Sequence, residues 1–345
     1  MRKNTKLLAV GAAVIVVAAA LGAAYVLGGE DDSLSVVYLN KSSYEALIVA
    51  DKKGYFDELD FDVIKHLVPG SGQDAVNAMI AGSADIAATG EGPAINALNQ
   101  YGDEIVVLCS YDISTGAHVW VAQRSLIDEE KIIVDGKSPQ EIADQLKGSG
   151  YTVGVIQGSS TEAMFKRWCD SFNVTYNTTA GSDLQLKYLT GNTLVSTFAS
   201  KEKEIDILVG SQPYPATVME SANAVKFGSS EDIGVYSTCV LVTTKAMYEN
   251  KTEQMKAFVG AIKKATDFMN ENRDEAIEIC ASSIEWSKAA QAASFAGSTP
   301  KVAFNDTVVD IMYGVSVGKK FDDKVTREMI SASCPLKDYI DGLYA

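Results

Sequence analysis

Ser159, Ser160 and Thr161 stand between a β-branched run (Val153, Val155, Ile156) and a helix-forming run from Glu162 to Trp168. A strand that turns through Gly158 and these hydroxyl residues into a helix leaves backbone N–H groups and side-chain oxygens at the helix N-terminus. That geometry suits an anion. It equally suits an ordinary N-cap closing a βα turn. Recurrence is what favours a ligand site. Asn40, Lys41, Ser42 and Ser43 precede a helix from Tyr44. Pro69, Gly70, Ser71 and Gly72 precede one near Gln73, and Thr89, Gly90, Glu91 and Gly92 precede Pro93, a residue suited to a first helical position. Each turn leaves the carboxyl end of a strand, where open α/β sheets place their ligands.

Lys41 and Glu91 are the charged residues of these turns, and no arginine falls in them. A bidentate guanidinium fork is therefore absent. Helix N-termini and neutral donors would hold an oxyanion such as sulfonate, nitrate or bicarbonate. With both Lys41 and Glu91 in a cleft, a zwitterion such as an aminosulfonate also fits; solvated loop charges are the alternative. Tyr44, Tyr214 and His118 suit either a cleft wall or a core.

The elements that must position these turns read as β–turn–α units. Strands are expected at 33–39, 61–68, 86–88 and 105–109, with helices at 44–53, from 73 to Gly82 and from Pro93. The same signals give strands at 118–123, 153–156, near Val174, 205–209 and 235–244. Helices are expected at 139–146, 162–168, 185–190 and 192–199, from the turn Ser211 to Tyr214, and throughout the chain after 252. Crossings near 111–117 and 229–236 divide the chain into one lobe of 33–111 plus 236–345 and a second of 112–235.

The 345 residues allow two lobes with real cores, and 47% hydrophobic content with seven prolines argues against disorder. A formal charge of −15 makes nucleic acid an unsuitable partner. Five widely spaced cysteines without a C-x-x-C pair, and only two histidines, exclude a zinc site of familiar spacing. No metal or cofactor is expected. Residues 1–32 form a separate segment. Arg2, Lys3 and Lys6 precede an uncharged run from Leu7 to Leu27, and Glu30, Asp31 and Asp32 follow it. At helical rise that run reaches about 31 Å, enough to cross a bilayer. An uncleaved N-terminal membrane anchor is favoured over a cleaved signal, with the globular part exported.

Three stretches resemble one family. YEALIVADKKGYFDE is similar to the first helix of the periplasmic substrate-binding proteins of the nitrate, sulfonate and taurine (NMT1-like) transporter class. ADIAATGEGPAINAL resembles that family's third strand and the G-x-x-P start of its helix, and VGVIQGSSTEAMF resembles its second-lobe anion turn. The resemblance covers roughly residues 34–270. It implies a type II periplasmic-binding-protein fold: two lobes, each a mixed, mainly parallel sheet flanked by helices, joined by two hinge crossings. It also implies a monomeric solute receptor for an ABC permease, without catalysis. First-shell positions carried over are Ser42, Ser43 and Tyr44, Gly70 and Ser71, Thr89, Gly90 and Glu91, and Ser159, Ser160 and Thr161, with Lys41 beside them. Gln212, Pro213 and Tyr214 stand where the family often has an acidic residue before proline. The glutamine departs from that pattern, as does the missing lipid-attachment cysteine.

Enzymatic readings are poor. GEGPAI lacks the third glycine of a dinucleotide fingerprint, and GSST is not a nucleophile elbow. A vitamin-precursor synthase of this fold needs a cysteine-rich iron patch that is absent here. A sensor ectodomain would need a cytoplasmic signalling part, and six residues precede the apolar run. The remaining alternative keeps the fold and seats a pyrimidine-like vitamin precursor between Tyr44 and Tyr214.

Overall fold

The computed structural model describes residues 33–68, 70–200, 204–220 and 223–345. The apolar run 7–27 expected to form an anchor lies outside these residues. Among the described residues no helix is long and apolar enough to cross a membrane.

Two six-stranded sheets organise the chain. The first holds β1 (Ser33–Tyr38), β2 (Asp62–Leu67), β3 (Ile86–Gly90), β4 (Ile105–Ser114), β11 (Ser237–Thr244) and β12 (Ser298–Ala303), in the order β12-β4-β11-β3-β1-β2. The second holds β5 (His118–Gln123), β6 (Tyr151–Val155), β7 (Tyr176–Asn177), β8 (Leu184–Tyr188), β9 (Ile207–Ser211) and β10 (Ala224–Ser229), in the order β10-β5-β9-β6-β8-β7. Pairing is parallel across β2-β1-β3 and β7-β8-β6-β9 and antiparallel around β11 and β5. The two antiparallel insertions are the first strands after each crossing between sheets. This is the mixed, helix-flanked two-sheet fold of the periplasmic binding proteins.

The buried strands are β-branched and apolar, as fully covered strands must be. Val36, Val37, Val107, Leu108, Val240 and Val242 are all buried. The helix Ser160–Ser171 turns Met164, Phe165 and Trp168 into the core, where Trp168 stacks on Phe165 with ring centroids 6.1 Å apart. The helix Asp306–Gly318 packs against both Glu91–Tyr101 and Ser160–Ser171, and Lys288–Ala296 packs on Tyr214–Glu220. These helices tie the two sheets' units together.

Several expected elements are corrected. Where a helix over 185–190 is expected, residues 184–188 form strand β8: Leu184 and Leu186 are buried while Gln185 and Lys187 are half-buried, a period of two. The short strand expected near Val174 is Tyr176–Asn177. The region after 252 is not all helical, because Ser298–Ala303 pairs with β4 at the sheet edge. Pro300 masks that strand in the sequence and is tolerated at an edge with irregular register. β4 continues to Ser114, so the expected crossing at 111–117 narrows to Thr115, Gly116 and Ala117. The return crossing contains a 3₁₀ turn, Ser230–Ile233, and β11 begins at Ser237. All five cysteines are free. Cys109 lies opposite Leu241 and Cys239 opposite Asp112, so neither faces the other across the ladder.

Candidate functional site

Two helix N-termini meet between the sheets. Gly90 caps the helix Glu91–Tyr101 from one sheet, and Ser159 caps Ser160–Ser171 from the other. Each brings the positive end of its helix dipole to the same place. The contact is direct: the Gly92 N–H donates to Ser160 Oγ at 3.0 Å. A Cβ at Gly92 would sit 3.0 Å from the Ser160 backbone, and one at Gly90 would sit 2.6 Å from Ser160 Oγ. The G-x-G spacing is therefore needed for the approach of the two helices, as side chains there would hold them apart.

Beside this contact is a cavity of about 60 Å³, enough for more than one water-sized group. Lys41, Ser43, Tyr44, Gly90, Glu91, Ser159, Ser160 and Thr161 line it, eight of the positions expected from the sequence. Ser43 holds a left-handed backbone (φ 81°), and its carbonyl accepts from Tyr111 Oη at 3.0 Å. Such strain in a non-glycine residue persists only where the surroundings impose it. Lys41 Nζ donates to Ser211 Oγ at 3.3 Å and lies 5.4 Å from the Tyr214 ring centroid. Burial lowers the Lys41 pKa, opposed by the nearby Cys239 and Glu45.

The other expected positions lie off the cavity. Ser42 Oγ donates to Gln291 Oε1 at 2.9 Å inside the first sheet's helical layer. Gly70 and Ser71 line a separate groove, where Ser71 and Asp74 form a capping box. Gln212 Oε1 accepts from the Ala216 N–H at 3.1 Å, closing the start of the helix Tyr214–Glu220. Tyr214 packs edge-on against Trp286, with centroids 5.5 Å apart, and lies behind Lys41. Thr89 is fully buried next to the cavity; a Cβ at Gly72 would lie 2.4 Å from its Oγ1. For Ser42, Ser71 and Gln212 a local helix cap or core contact consumes the polar atom that the sequence offered to a ligand.

The sequence reading missed the cavity's other wall. Ser114, Ala117, Ser237, Thr238 and Cys239 come from the strands on either side of the two crossings, and Ser211 ends β9. Ser114 Oγ and Ser237 Oγ are 2.8 Å apart, and Ser110 Oγ and Thr238 Oγ1 are 2.7 Å apart, tying the hinge strands together. The signal was available: two crossings adjacent in one sheet must run beneath any cleft between the lobes.

Three buried polar atoms here have no hydrogen-bond partner: Glu91 Oε1, His118 Nε2 and Thr89 Oγ1. Buried polar groups are otherwise satisfied almost everywhere in folded proteins. Glu91 is 1% exposed, and its Oε2 accepts from the Thr238 N–H at 3.3 Å. Burial pushes the Glu91 carboxyl up to about 7 against the pull of its own and Thr238's backbone N–H groups, the Ser160 hydroxyl and Lys319. His118 Nδ1 lies 2.8 Å from Thr161 Oγ1. Burial, with Lys41 adding to it, lowers the His118 pKa to about 3, so the ring is neutral. The cavity thus has a cation, two helix N-termini, a carboxyl poised near neutrality, a neutral imidazole and a ring of hydroxyls.

The model of the NMT1-like family matches residues 28–284. The chain belongs to the NMT1-like family. Among solved structures this NMT1-like chain is similar to the alkanesulfonate-binding protein SsuA from Xanthomonas axonopodis pv. citri bound to MOPS. Identity is 13% over 89% of this chain and 99% of that one, with a TM-score of 0.69. The periplasmic aliphatic sulphonate binding protein SsuA from Escherichia coli is 16% identical over 88% of this chain and 98% of that chain, with a TM-score of 0.68. The periplasmic nitrate-binding protein NrtA from Synechocystis PCC 6803 is 12% identical over 90% and 91%, with a TM-score of 0.65. At these identities the likeness is one of fold. No curated protein matches the chain.

Proposed function

We propose that this protein is the solute-binding receptor of an ABC importer, working outside the cytoplasm and closing on a small anionic or zwitterionic solute between two lobes. The lobes are residues 33–114 plus 237–345 and residues 118–229, with the hinge at 115–117 and 230–236. The observation that carries this reading is the convergence of two helix N-termini and Lys41 on one cavity between the sheets. In a low-dielectric site, fixed N–H dipoles and a buried ammonium bind an oxyanion without an arginine fork. Fold likeness to sulfonate- and nitrate-binding proteins supports the same solute class. Closure brings Gly92 onto Ser160 and presents the closed form to a permease. No step of catalysis is assigned: burial lowers the His118 pKa to about 3, which makes it a weak base, and raises the Cys239 thiol well above its usual pKa, which disfavours the thiolate.

The pyrimidine alternative loses one of its aromatic walls, because Tyr214 sits behind Lys41 against Trp286. Thermal unfolding of Ser33–Ala345 against nitrate, bicarbonate, taurine, alkylsulfonates, carboxylates and pyrimidines tests the reading. A ligand present at 100 times its Kd adds about 2.7 kcal/mol. Stabilisation by an oxyanion or aminosulfonate is expected. Stabilisation by a pyrimidine alone would replace the solute class.

A further inference from the structure

The two unpartnered groups facing the cavity are of different kinds. His118 Nε2 accepts or donates according to tautomer, whereas Glu91 Oε1, when the carboxyl is ionised, only accepts. Lys41 and the helix N-termini satisfy an anion's oxygens; the backbone N–H groups of Glu91 and Thr238 and the Ser160 hydroxyl act on the Glu91 carboxylate, yet its Oε1 has no hydrogen-bond partner. An anion with acceptors alone would place a lone pair against that carboxylate and leave it both unpaired and repelled. We infer that Glu91 is the specificity-determining residue of this site. The solute is an oxyanion that carries its own N–H or O–H donor, given to Glu91 Oε1, and bare anions of the same shape are turned away. This rests on the solute-receptor reading above and narrows it: a protonated oxyanion or an aminosulfonate qualifies, whereas nitrate or a plain alkylsulfonate does not.

Position supports the role. Glu91 is the first helical residue of Glu91–Tyr101, held at the lobe contact by Gly90 and Gly92, and its Oε2 is tied to the Thr238 N–H. One oxygen is thus anchored to the hinge strand and the other is left for the solute. The groups facing it are Lys41 from the loop after β1, His118 of β5, the Cys239 thiol of β11 with Asp112 behind it, and Lys319 after the helix Asp306–Gly318. Glu162 of the opposing helix is paired with Lys166 at 2.6 Å. With the carboxyl titrating near 7, the preference for donors belongs to the alkaline side.

The test uses two matched pairs on the full-length protein by titration calorimetry: bicarbonate against nitrate, and taurine against 1-propanesulfonate. Within each pair size and shape are alike; bicarbonate adds a hydroxyl donor, and taurine adds an ammonium that carries both donors and a positive charge. At pH 8.5 the donor-bearing member of at least one pair is expected to bind roughly 100-fold tighter, the effect of leaving a buried acceptor unpaired. The pair that responds distinguishes a protonated oxyanion from an ammonium. Glu91→Gln, which can turn its amide to donate or accept, should bring that ratio near one. The taurine ratio should also fall at pH 5.5, where Glu91 is protonated, even though the taurine amine is then fully charged. Should Glu91→Gln fail to fold, the wild-type ratios still decide. Binding with ratios near one in both pairs overturns the role of Glu91 and leaves the receptor reading standing. Absence of binding by all four overturns both.

Discussion

Asp112 shows how a single buried carboxyl sets the pH response of this protein. Ser298 Oγ donates to its Oδ1 at 2.6 Å, yet burial pushes its pKa up from 3.8 to about 7, with Glu45 adding to the rise. A carboxyl with a raised folded-state pKa binds more protons folded than unfolded between those two values. Its contribution to stability is therefore full below 3.8 and is lost as pH rises to about 7, then constant above. Glu91 adds a slope of the same sign up to about 7. His118, lowered to about 3, acts oppositely: it costs stability as pH falls from 6.5 toward 3. Asp112→Asn keeps the Ser298 contact and removes one slope. Denaturant unfolding should show its stability relative to wild type improving by roughly 2–3 kcal/mol between pH 5 and pH 8. A difference that stays constant with pH would show that Asp112 does not titrate in this window.

At the scale of elements, the pair of abutting helix N-termini is the device on which closure turns. Ser159 Oγ accepts from the Glu162 N–H at 3.1 Å and donates to the Ile156 carbonyl at 2.7 Å. It is a cap with no free hydrogen. Ser160 Oγ accepts the Gly92 N–H and reaches across the cleft. The two adjacent serines, alike in the sequence, thus do different work. Gly92→Ala places a methyl 3.0 Å from the Ser160 backbone while improving helix propensity by about 1 kcal/mol. The ligand-free variant should unfold at the wild-type temperature or above it, and bind the solute at least tenfold more weakly. Unchanged affinity would mean that the lobes do not need this contact.

For the whole molecule, the two sheet units meet through helices as well as at the cavity, and the proposed receptor role requires solute binding and closure to be coupled. Hinge residues Thr115, Gly116 and Ala117 are short, and the Thr115 N–H donates to the Gly297 carbonyl at 2.8 Å. If the crossing at 115–117 acts as a hinge, opening the cleft must also part the contacts of Asp306–Gly318 with Ser160–Ser171 and of Lys288–Ala296 with Tyr214–Glu220. Small-angle scattering on Ser33–Ala345 should give a radius of gyration near the compact value, about 20 Å, with saturating solute and a larger one without it. Identical radii in the two states would show that the cleft does not open.

The β–turn–α order, the turns rich in Gly, Ser and Thr, and most element limits were legible in the sequence, because strand periodicity, helix caps and turn residues act between near neighbours in the chain. The helix Pro139–Leu146 matched its expected span for that reason. β8 was misread because Leu184 and Leu186 are too few to display their period, and β12 because Pro300 hides an edge strand. Within the site, residue types that favour an anion at a helix N-terminus were visible, including Lys41, Glu91, Ser160 and Thr161. Which of the polar turns reach the solute was decided only by tertiary structure. Ser71 and Gln212 spend their side chains on local caps and Ser42 on Gln291, while Ser114, Ser237 and Thr238 enter from strands far apart in the chain. The burial that leaves Glu91 Oε1 unpartnered arises where helices from both lobes and strand β11 converge, a meeting that no local stretch of sequence encodes.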